Sequence, residues 1–194
     1  MTWSRTVTTW ISYQFRDGPS PITYYWPALP SYINYIDGGL EREDGLIYLF
    51  KDARFWLLVH NIKLQNGFRK DGMPLQSLGL PKNLRKIDTI FRWAENKAVY
   101  IFAGDWYWKL DETEGPYGRV EPEPNYPRRI KDTWMGIPTP VRAAFTQLNG
   151  DTLFFQGNNY WEFDNIAMKS REGFPKQANL HILGCFDETI NNKE

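Results

Sequence analysis

A motif that recurs at a nearly fixed period constrains the fold of this chain more than any local pattern does. Proline opens four similar segments, at Pro21, Pro74, Pro127 and Pro175, with spacings of 53, 53 and 48 residues. Regularly spaced Ile, Leu and Trp residues inside these segments favour a short helix in each. A period near 50 residues indicates a repeat architecture, in which each unit stacks against the next.

A second repeated block, with the pattern of short β-strands, follows each of the first three proline segments. The blocks cover residues 36–56, 87–111 and 141–164, and they are rich in aromatic and β-branched side chains. Their turns carry Gly, Asn and Asp, which tolerate the positive φ angles that hairpins need. A repeat of about 40–50 residues with about four strands is typical of a propeller blade. The 9 Trp, 11 Tyr and 12 Phe residues supply aromatic side chains to fill the spaces between stacked sheets.

Two of these segments carry a resemblance to a known family. Residues 154–164 read FFQGNNYWEFD, and residues 126–138 read YPRRIKDTWMGIP. Both resemble the hemopexin-like repeats of matrix metalloproteinases, and the resemblance covers about residues 21–185. It implies an all-β fold, a four-bladed hemopexin-like β-propeller.

The resemblance also implies a division of the chain. It gives three full blades plus the remnant of blade one. The expected boundaries are the remnant at 1–20, the propeller at 21–185 with blades two to four at about 31–73, 82–126 and 139–185, and a polar tail at 186–194. On this interpretation the chain is truncated within its first blade.

Cys185 is the single cysteine of the chain. It matches the second cysteine of the disulfide that closes the propeller in the family, and the partner cysteine is absent. Losing that closure and most of one blade leaves a blade face and a sheet edge open. We therefore expect the chain by itself to be marginally stable and prone to association.

Composition excludes several classes of function. The 23 basic and 23 acidic residues give zero formal net charge, so no global field favours nucleic acid. No run of about 18 apolar residues is present, so we expect no membrane-spanning segment. Residues 1–7 lack the apolar core of a signal peptide. An extracellular location is therefore implied by the resemblance alone.

Residue types for catalysis are sparse. Zinc proteases need convergent ligands such as the His-Glu-x-x-His helix, whereas His60 and His181 lie 121 residues apart. Neither histidine has another histidine four residues away. Heme needs an axial ligand, and the two histidines do not occupy corresponding repeat positions. We expect no enzyme activity, no zinc and no heme in this chain.

Charged clusters have two interpretations each. The acidic runs at 111–114 and 121–124 lack the spacing of an EF-hand, and their proline-rich context favours solvated loops over a calcium loop or a carboxylate pair. The basic groups are Arg128, Arg129 and Lys131 with Arg142, and Lys82, Arg85 and Lys86. They favour a solvated face over a heparin or nucleic-acid patch.

The resemblance implies an ion site in the central channel of the propeller. In the family, backbone carbonyls of the innermost strands hold calcium or sodium, and backbone N–H groups hold chloride. The matching positions are Asp37, Gly39, Asp88, Ile90, Arg142 and Ala144. Arg142 stands where the other repeats have Asp. Asp37 and Asp88 are equally compatible with capping the start of a strand.

The function implied by the resemblance is that of a non-catalytic protein-binding module. Such a module of a matrix metalloproteinase recruits extracellular-matrix proteins or tissue inhibitors of metalloproteinases, and it allows a homodimer. The alternative is a fragment of a secreted or membrane-type zinc metalloendopeptidase, whose catalytic domain is missing from this chain.

Overall fold

The structure, a computed structural model, describes residues 20–60 and 62–183. The strands in these residues form three antiparallel sheets of five strands each. The first sheet contains β1 (Gly38–Glu41), β2 (Leu46–Lys51), β3 (Arg54–Val59), β4 (Lys63–Leu64) and β5 (Met73–Pro74). The second contains β6 (Thr89–Arg92), β7 (Val99–Ala103), β8 (Trp106–Asp111), β9 (Arg119–Val120) and β10 (Arg128–Arg129). The third contains β11 (Ala143–Thr146), β12 (Thr152–Gln156), β13 (Asn159–Asp164), β14 (Lys169–Ser170) and β15 (Lys176–Gln177).

The three sheets share one topology. In each sheet, the first three strands are consecutive antiparallel neighbours. The two short strands both pair with the third strand. The prediction of an all-β fold built from repeated units is confirmed.

The same two-residue turn connects the second and third strands of every sheet. Its first residue is Asp52, Gly104 or Gly157, with φ angles of 52°, 58° and 58°. Glycine adopts this left-handed conformation without steric cost, and Asp does so more readily than most other residues. The turn therefore fixes the hairpin register in each repeat, as in the pairing of Ala103 with Trp106.

A short helical turn lies in each proline segment. These turns are α1 (Ile22–Tyr25), a 3₁₀ helix (Leu75–Leu78), α2 (Ile130–Thr133) and α3 (Ala178–His181). The last three each begin directly after the fifth strand of a sheet. The 3₁₀ helix ends at Gly79, whose φ of 83° suits the left-handed C-cap that glycine provides.

The sheets stack as blades, with their innermost strands side by side. β1 packs beside β6, and β6 packs beside β11. A Cβ added at Gly38 would lie only 3.1 Å from Ile87 Cδ1 and 3.2 Å from Ile90 Cγ2. The absence of a side chain at Gly38 therefore lets the first and second sheets approach closely.

The first sheet buries both of its faces. Tyr48 and Phe50 belong to the core between the first and second sheets. Leu49, from the opposite face of β2, packs instead with Leu29 and Ile33 from the segment that precedes β1. Burial on both faces explains why residues 46–50 of β2 and 55–59 of β3 are all apolar and lack the alternation of a half-exposed strand.

Several predicted features lie outside the described residues. These are the remnant of blade one at 1–20 apart from Ser20, Cys185 with its disulfide role, and the tail at 186–194. Within residues 20–60 and 62–183, no helix combines the length and hydropathy needed to cross a bilayer.

Candidate functional site

The six predicted channel residues occupy equivalent places in, or directly before, the first strands of the three sheets. Asp37, Asp88 and Arg142 directly precede β1, β6 and β11. Their backbone N–H groups donate to carbonyl oxygens of the second strands, at 2.8, 2.8 and 2.7 Å. Gly39, Ile90 and Ala144 are the second residues of β1, β6 and β11.

The carboxylates of Asp37 and Asp88 hold the hairpin turns of their own sheets. Asp37 Oδ2 accepts a hydrogen bond from the backbone N–H of Asp52 at 2.6 Å. Asp88 Oδ2 accepts one from the N–H of Gly104 at 2.7 Å. These bonds satisfy turn donors that would otherwise need water, which gives the two aspartate side chains a structural role in their own sheets.

Arg142 turns away from its own hairpin to the neighbouring sheet. Its Nη1 donates to Asp88 Oδ1 at 2.7 Å, and the Arg142 side chain is 52% exposed whereas that of Asp88 is 7% exposed. Both oxygens of Asp88 are therefore engaged, one by the turn of the second sheet and one by a cation from the third. The guanidinium thus links the residues that directly precede β6 and β11, on two neighbouring sheets.

Lys51, a cation next to the hairpin turn of the first sheet, is neutralised by Asp52. Tyr35 Oη donates to Asp52 Oδ1 at 2.7 Å, and the ammonium of Lys51 lies 3.7 Å from the centre of the Tyr35 ring. The hydrogen bond from Lys51, followed by that from Tyr35, lowers the pKa of Asp52. The hydrogen bond to Asp52 raises the pKa of Lys51. Lys51 and Asp52 thus remain charged and paired with each other across the neutral pH range.

The side chains at this end of the channel do not fit an additional cation beside Asp88. The one carboxylate that is buried there already has a positive partner within hydrogen-bond distance, so a metal ion that bound the Asp88 carboxylate would lie beside the Arg142 guanidinium. A metal cation and a guanidinium group a few ångströms apart repel each other strongly in a partly buried site.

The two histidines do not form a site. His60 follows β3 with a φ of 52°, and His181 ends α3 with its ring 6.5 Å from the ring of Tyr160. Within the part of the chain that the structure describes, no three His, Cys, Asp or Glu side chains come together as a metal site would require.

An exposed aromatic and cationic surface lies at the start of β8. The Trp106 side chain is 37% exposed, and the Arg129 guanidinium covers its ring at 4.4 Å. Arg129 also lies 3.8 Å from Asp105. Next to it on β10, Arg128 covers the ring of Tyr126 at 5.0 Å. Tyr126 itself is buried, so we call Trp106, Arg128 and Arg129 the rim surface.

A cleft of about 620 Å³ lies between the first and second sheets, where β1 and β6 end. It is lined mainly by charged side chains, among them Arg42, Arg92 and Glu112. Arg92 Nη2 donates to Glu112 Oε2 at 2.6 Å. Arg42 Nη2 donates to the backbone oxygen of Glu112 at 2.9 Å, and its Nε lies 3.9 Å from Glu112 Oε1. The Glu112 carboxylate therefore lies between two guanidinium groups of neighbouring blades, and Asp44 supplies a further anion 3.0 Å from Arg42 Nη2.

Sequence reasoning missed this cleft. It assigned residues 111–114 to a solvated loop, which holds for Asp111, Thr113 and Glu114 but not for Glu112, whose side chain is only 15% exposed. The local sequence carries no signal for this burial, because Arg42 and Arg92 come from two different sheets. Their meeting with Glu112 follows only from which blade faces adjoin.

Known proteins give a consistent match. The family model described as Hemopexin matches residues 36–71, 87–139 and 141–185, which is more than half of the chain. Matrix metalloproteinase-2 of Drosophila melanogaster is 35% identical over 167 residues, covering 86% of this chain and 21% of that protein. Stromelysin-1 of Equus caballus is 34% identical over 149 residues, covering 77% of this chain and 29% of that protein. The chain thus spans less than a third of the length of either relative.

Solved structures agree on the fold. The hemopexin fold protein CP4 from cow pea superimposes with a TM-score of 0.64 at 18% identity, covering 85% of this chain and 80% of that one. A 2S albumin seed protein from Dolichos superimposes with a TM-score of 0.62 at 19% identity, covering 81% and 76%. At these identities the likeness concerns the fold alone.

Proposed function

The chain belongs to the hemopexin family, and on that premise we propose that it is a non-catalytic protein-binding module of a matrix metalloproteinase. The module recruits extracellular-matrix substrates or tissue inhibitors of metalloproteinases, and it works outside the cell. The match to metalloproteinase relatives over the hemopexin model, rather than any catalytic constellation, carries this proposal.

The rim surface supports the proposal, because it has the composition of an energetic centre for protein binding. Trp, Tyr and Arg are the residues most enriched at hot spots, where a few side chains contribute most of the affinity. Trp106 and Arg129 combine an exposed ring with a cation held over it at 4.4 Å. This arrangement presents an apolar surface and fixed donors at little cost in side-chain entropy.

Surface plasmon resonance tests the proposal with the full chain over immobilised fibrillar collagen and over a tissue inhibitor of metalloproteinases. We expect binding to at least one, weakened about tenfold or more by Trp106→Ala and Arg129→Ala, as removal of a hot-spot side chain does. Tyr32→Ala is the matched control, because Tyr32 is 59% exposed and lies in the segment before β1, outside the rim surface. Absence of binding to both probes, or equal losses in Tyr32→Ala, would contradict the assignment of this surface.

A second proposal concerns the whole protein. We infer that this chain is the hemopexin part of a longer zinc metalloendopeptidase, because it covers only 21% and 29% of two metalloproteinase relatives. Sequencing of the 5′ end of the transcript tests this. An in-frame upstream His-Glu-x-x-His segment supports the proposal, and a transcript whose reading frame opens at Met1 contradicts it.

A further inference from the structure

Repeat-equivalent positions at the channel carry opposite charges. Asp37 and Asp88 directly precede β1 and β6, and Arg142 directly precedes β11 in the same backbone geometry. The third repeat thus has a cation where the first two have an anion. A guanidinium has only donors, so the Arg142 side chain cannot accept a hydrogen bond from the turn of its own sheet, as the two aspartates do.

The reversed charge has a specific partner. Arg142 Nη1 lies 2.7 Å from Asp88 Oδ1, and the two residues are 54 positions apart, directly before the first strands of neighbouring sheets. Asp88 is the less exposed member, at 7% against 52% for Arg142. A carboxylate buried to this degree is costly unless a positive charge or several hydrogen bonds accompany it.

We propose that the Arg142 guanidinium is a built-in cation that takes the place of the metal ion which the family resemblance implies for this channel. The covalently attached guanidinium neutralises Asp88 and joins the second and third sheets without any ion from solution. Repulsion between the guanidinium and a metal ion nearby weakens metal binding by about tenfold or more, since unit charges a few ångströms apart interact strongly at a protein surface. The stability of this chain is therefore independent of calcium.

Replacement of Arg142 by aspartate should create a calcium site. Arg142→Asp places an aspartate before all three inner strands and removes the repelling charge. Two carboxylates, at positions 88 and 142, would then lie close together with no cation between them, which is a setting that binds Ca²⁺ through oxygen ligands. Calcium would stabilise this variant because the ion binds the folded state and not the unfolded one.

Thermal unfolding of the full chain, in 5 mM CaCl₂ and in EDTA, tests the proposal. We expect the Tm of the unmodified chain to be the same in both buffers. For Arg142→Asp we expect Tm to be about 5–10 °C higher in calcium, at a concentration about 100 times Kd. Lys176→Asp is the matched control, because it makes the same charge change on β15 of the same sheet, where position 176 pairs with Tyr160 and not with an acidic residue. It should show no calcium response.

Equilibrium dialysis with ⁴⁵Ca²⁺ gives a readout that does not depend on stability. It should show calcium bound to Arg142→Asp and none at this site in the unmodified chain. Arg142→Gln removes the repulsion without adding an anion, and it keeps the test valid if Arg142→Asp folds only in calcium. A Tm of the unmodified chain that falls in EDTA would overturn the proposal. So would failure of both Arg142 variants to gain calcium binding.

Discussion

The hydroxyl group of Tyr48 donates a hydrogen bond to the backbone carbonyl oxygen of Tyr117 at 2.7 Å, across the boundary between the first and second sheets. The ring is completely buried, and Arg42 Nη1 donates to the same hydroxyl at 3.1 Å. Burial raises the pKa of Tyr48 to about 12, against the lowering effect of Arg42. A neutral phenol is thus part of the contact that holds two blades together.

Alkaline pH should loosen this contact. An unfolded tyrosine has a pKa of about 10, so between pH 10 and 12 the unfolded chain loses a proton that the folded chain keeps. The contribution of Tyr48 is fully present below pH 10 and is lost as the pH rises towards 12, for a total of about 2–3 kcal/mol. Urea unfolding at pH 8, 10 and 11 should show this decline, and Tyr48→Phe should decline less steeply. Tyr24→Phe, at a side chain 74% exposed, should match the unmodified chain.

Trp134 should be the most sensitive core position between the second and third sheets. It follows α2, is only 1% exposed and lies 5.6 Å from the ring of Phe91 and 5.7 Å from that of Phe154. Trp134→Ala should lower the free energy of unfolding by about 3–5 kcal/mol, because a cavity remains where the ring was. Trp106→Ala, at a ring 37% exposed, should cost far less in the same urea titration. Equal losses for the two variants would contradict this packing.

Two glycines separate the cost of backbone strain from that of steric overlap. Gly72 has a φ of 82°, and a Cβ there would lie 2.7 Å from Trp56 Cε2. Gly104 has a φ of 58°, and a Cβ there would meet no atom within 4 Å. Gly104→Ala should cost about 1–2 kcal/mol from the left-handed backbone alone. Gly72→Ala should cost more, because Trp56 would also have to move from its hydrogen bond with the Lys70 carbonyl oxygen. Comparison of the two denaturation midpoints checks the order.

The sequence predicts structure within a blade better than structure between blades. Hairpins follow from local patterns: branched and aromatic residues in the strands, and Asp52, Gly104 or Gly157 at the turn. These signals lie a few residues apart, so a single repeat contains all of them. The hemopexin resemblance, confirmed by the family model, then gives the number and order of the repeats that the structure describes.

Contacts between blades depend on residues distant in sequence, and they are harder to predict. The departure of Arg142 from the repeat pattern is visible in the sequence, but its partner Asp88 is not. Gly38 resembles an ordinary turn glycine until β6 lies against β1 and leaves no room for a side chain. Neither observation follows from a period of about 50 residues, because the period does not say which side chains of adjacent sheets meet.

Glu112 should be worth more to stability than its loop position suggests. Its carboxylate accepts a 2.6 Å hydrogen bond from Arg92 and lies 3.9 Å from Arg42 Nε, and the three side chains are only 12–18% exposed. Glu112→Gln keeps the shape of the side chain and removes its charge. Two guanidinium groups would then share a half-buried cleft with only the more exposed carboxylates of Asp44 and Glu43 beside them. The expected loss is about 2 kcal/mol, since removal of one member of a buried ionic cluster leaves the other charges uncompensated.

Salt should distinguish this repulsion from the simple loss of a hydrogen bond. In 1 M NaCl, where the screening length falls to about 3 Å, Glu112→Gln should recover part of its lost stability relative to the unmodified chain. Arg92→Gln combined with Glu112→Gln should also recover part of the lost stability, because it removes one of the two facing cations.

Glu43→Gln is the matched control: Glu43 lies 3.6 Å from Arg92 Nη1 but is 73% exposed. It should change the free energy of unfolding by less than about 0.5 kcal/mol, as exposed ion pairs do. Urea titrations of the four proteins at low and high salt measure these changes in the free energy of unfolding. If salt leaves the stability loss of Glu112→Gln unchanged, Arg42 and Arg92 do not repel each other in the cleft.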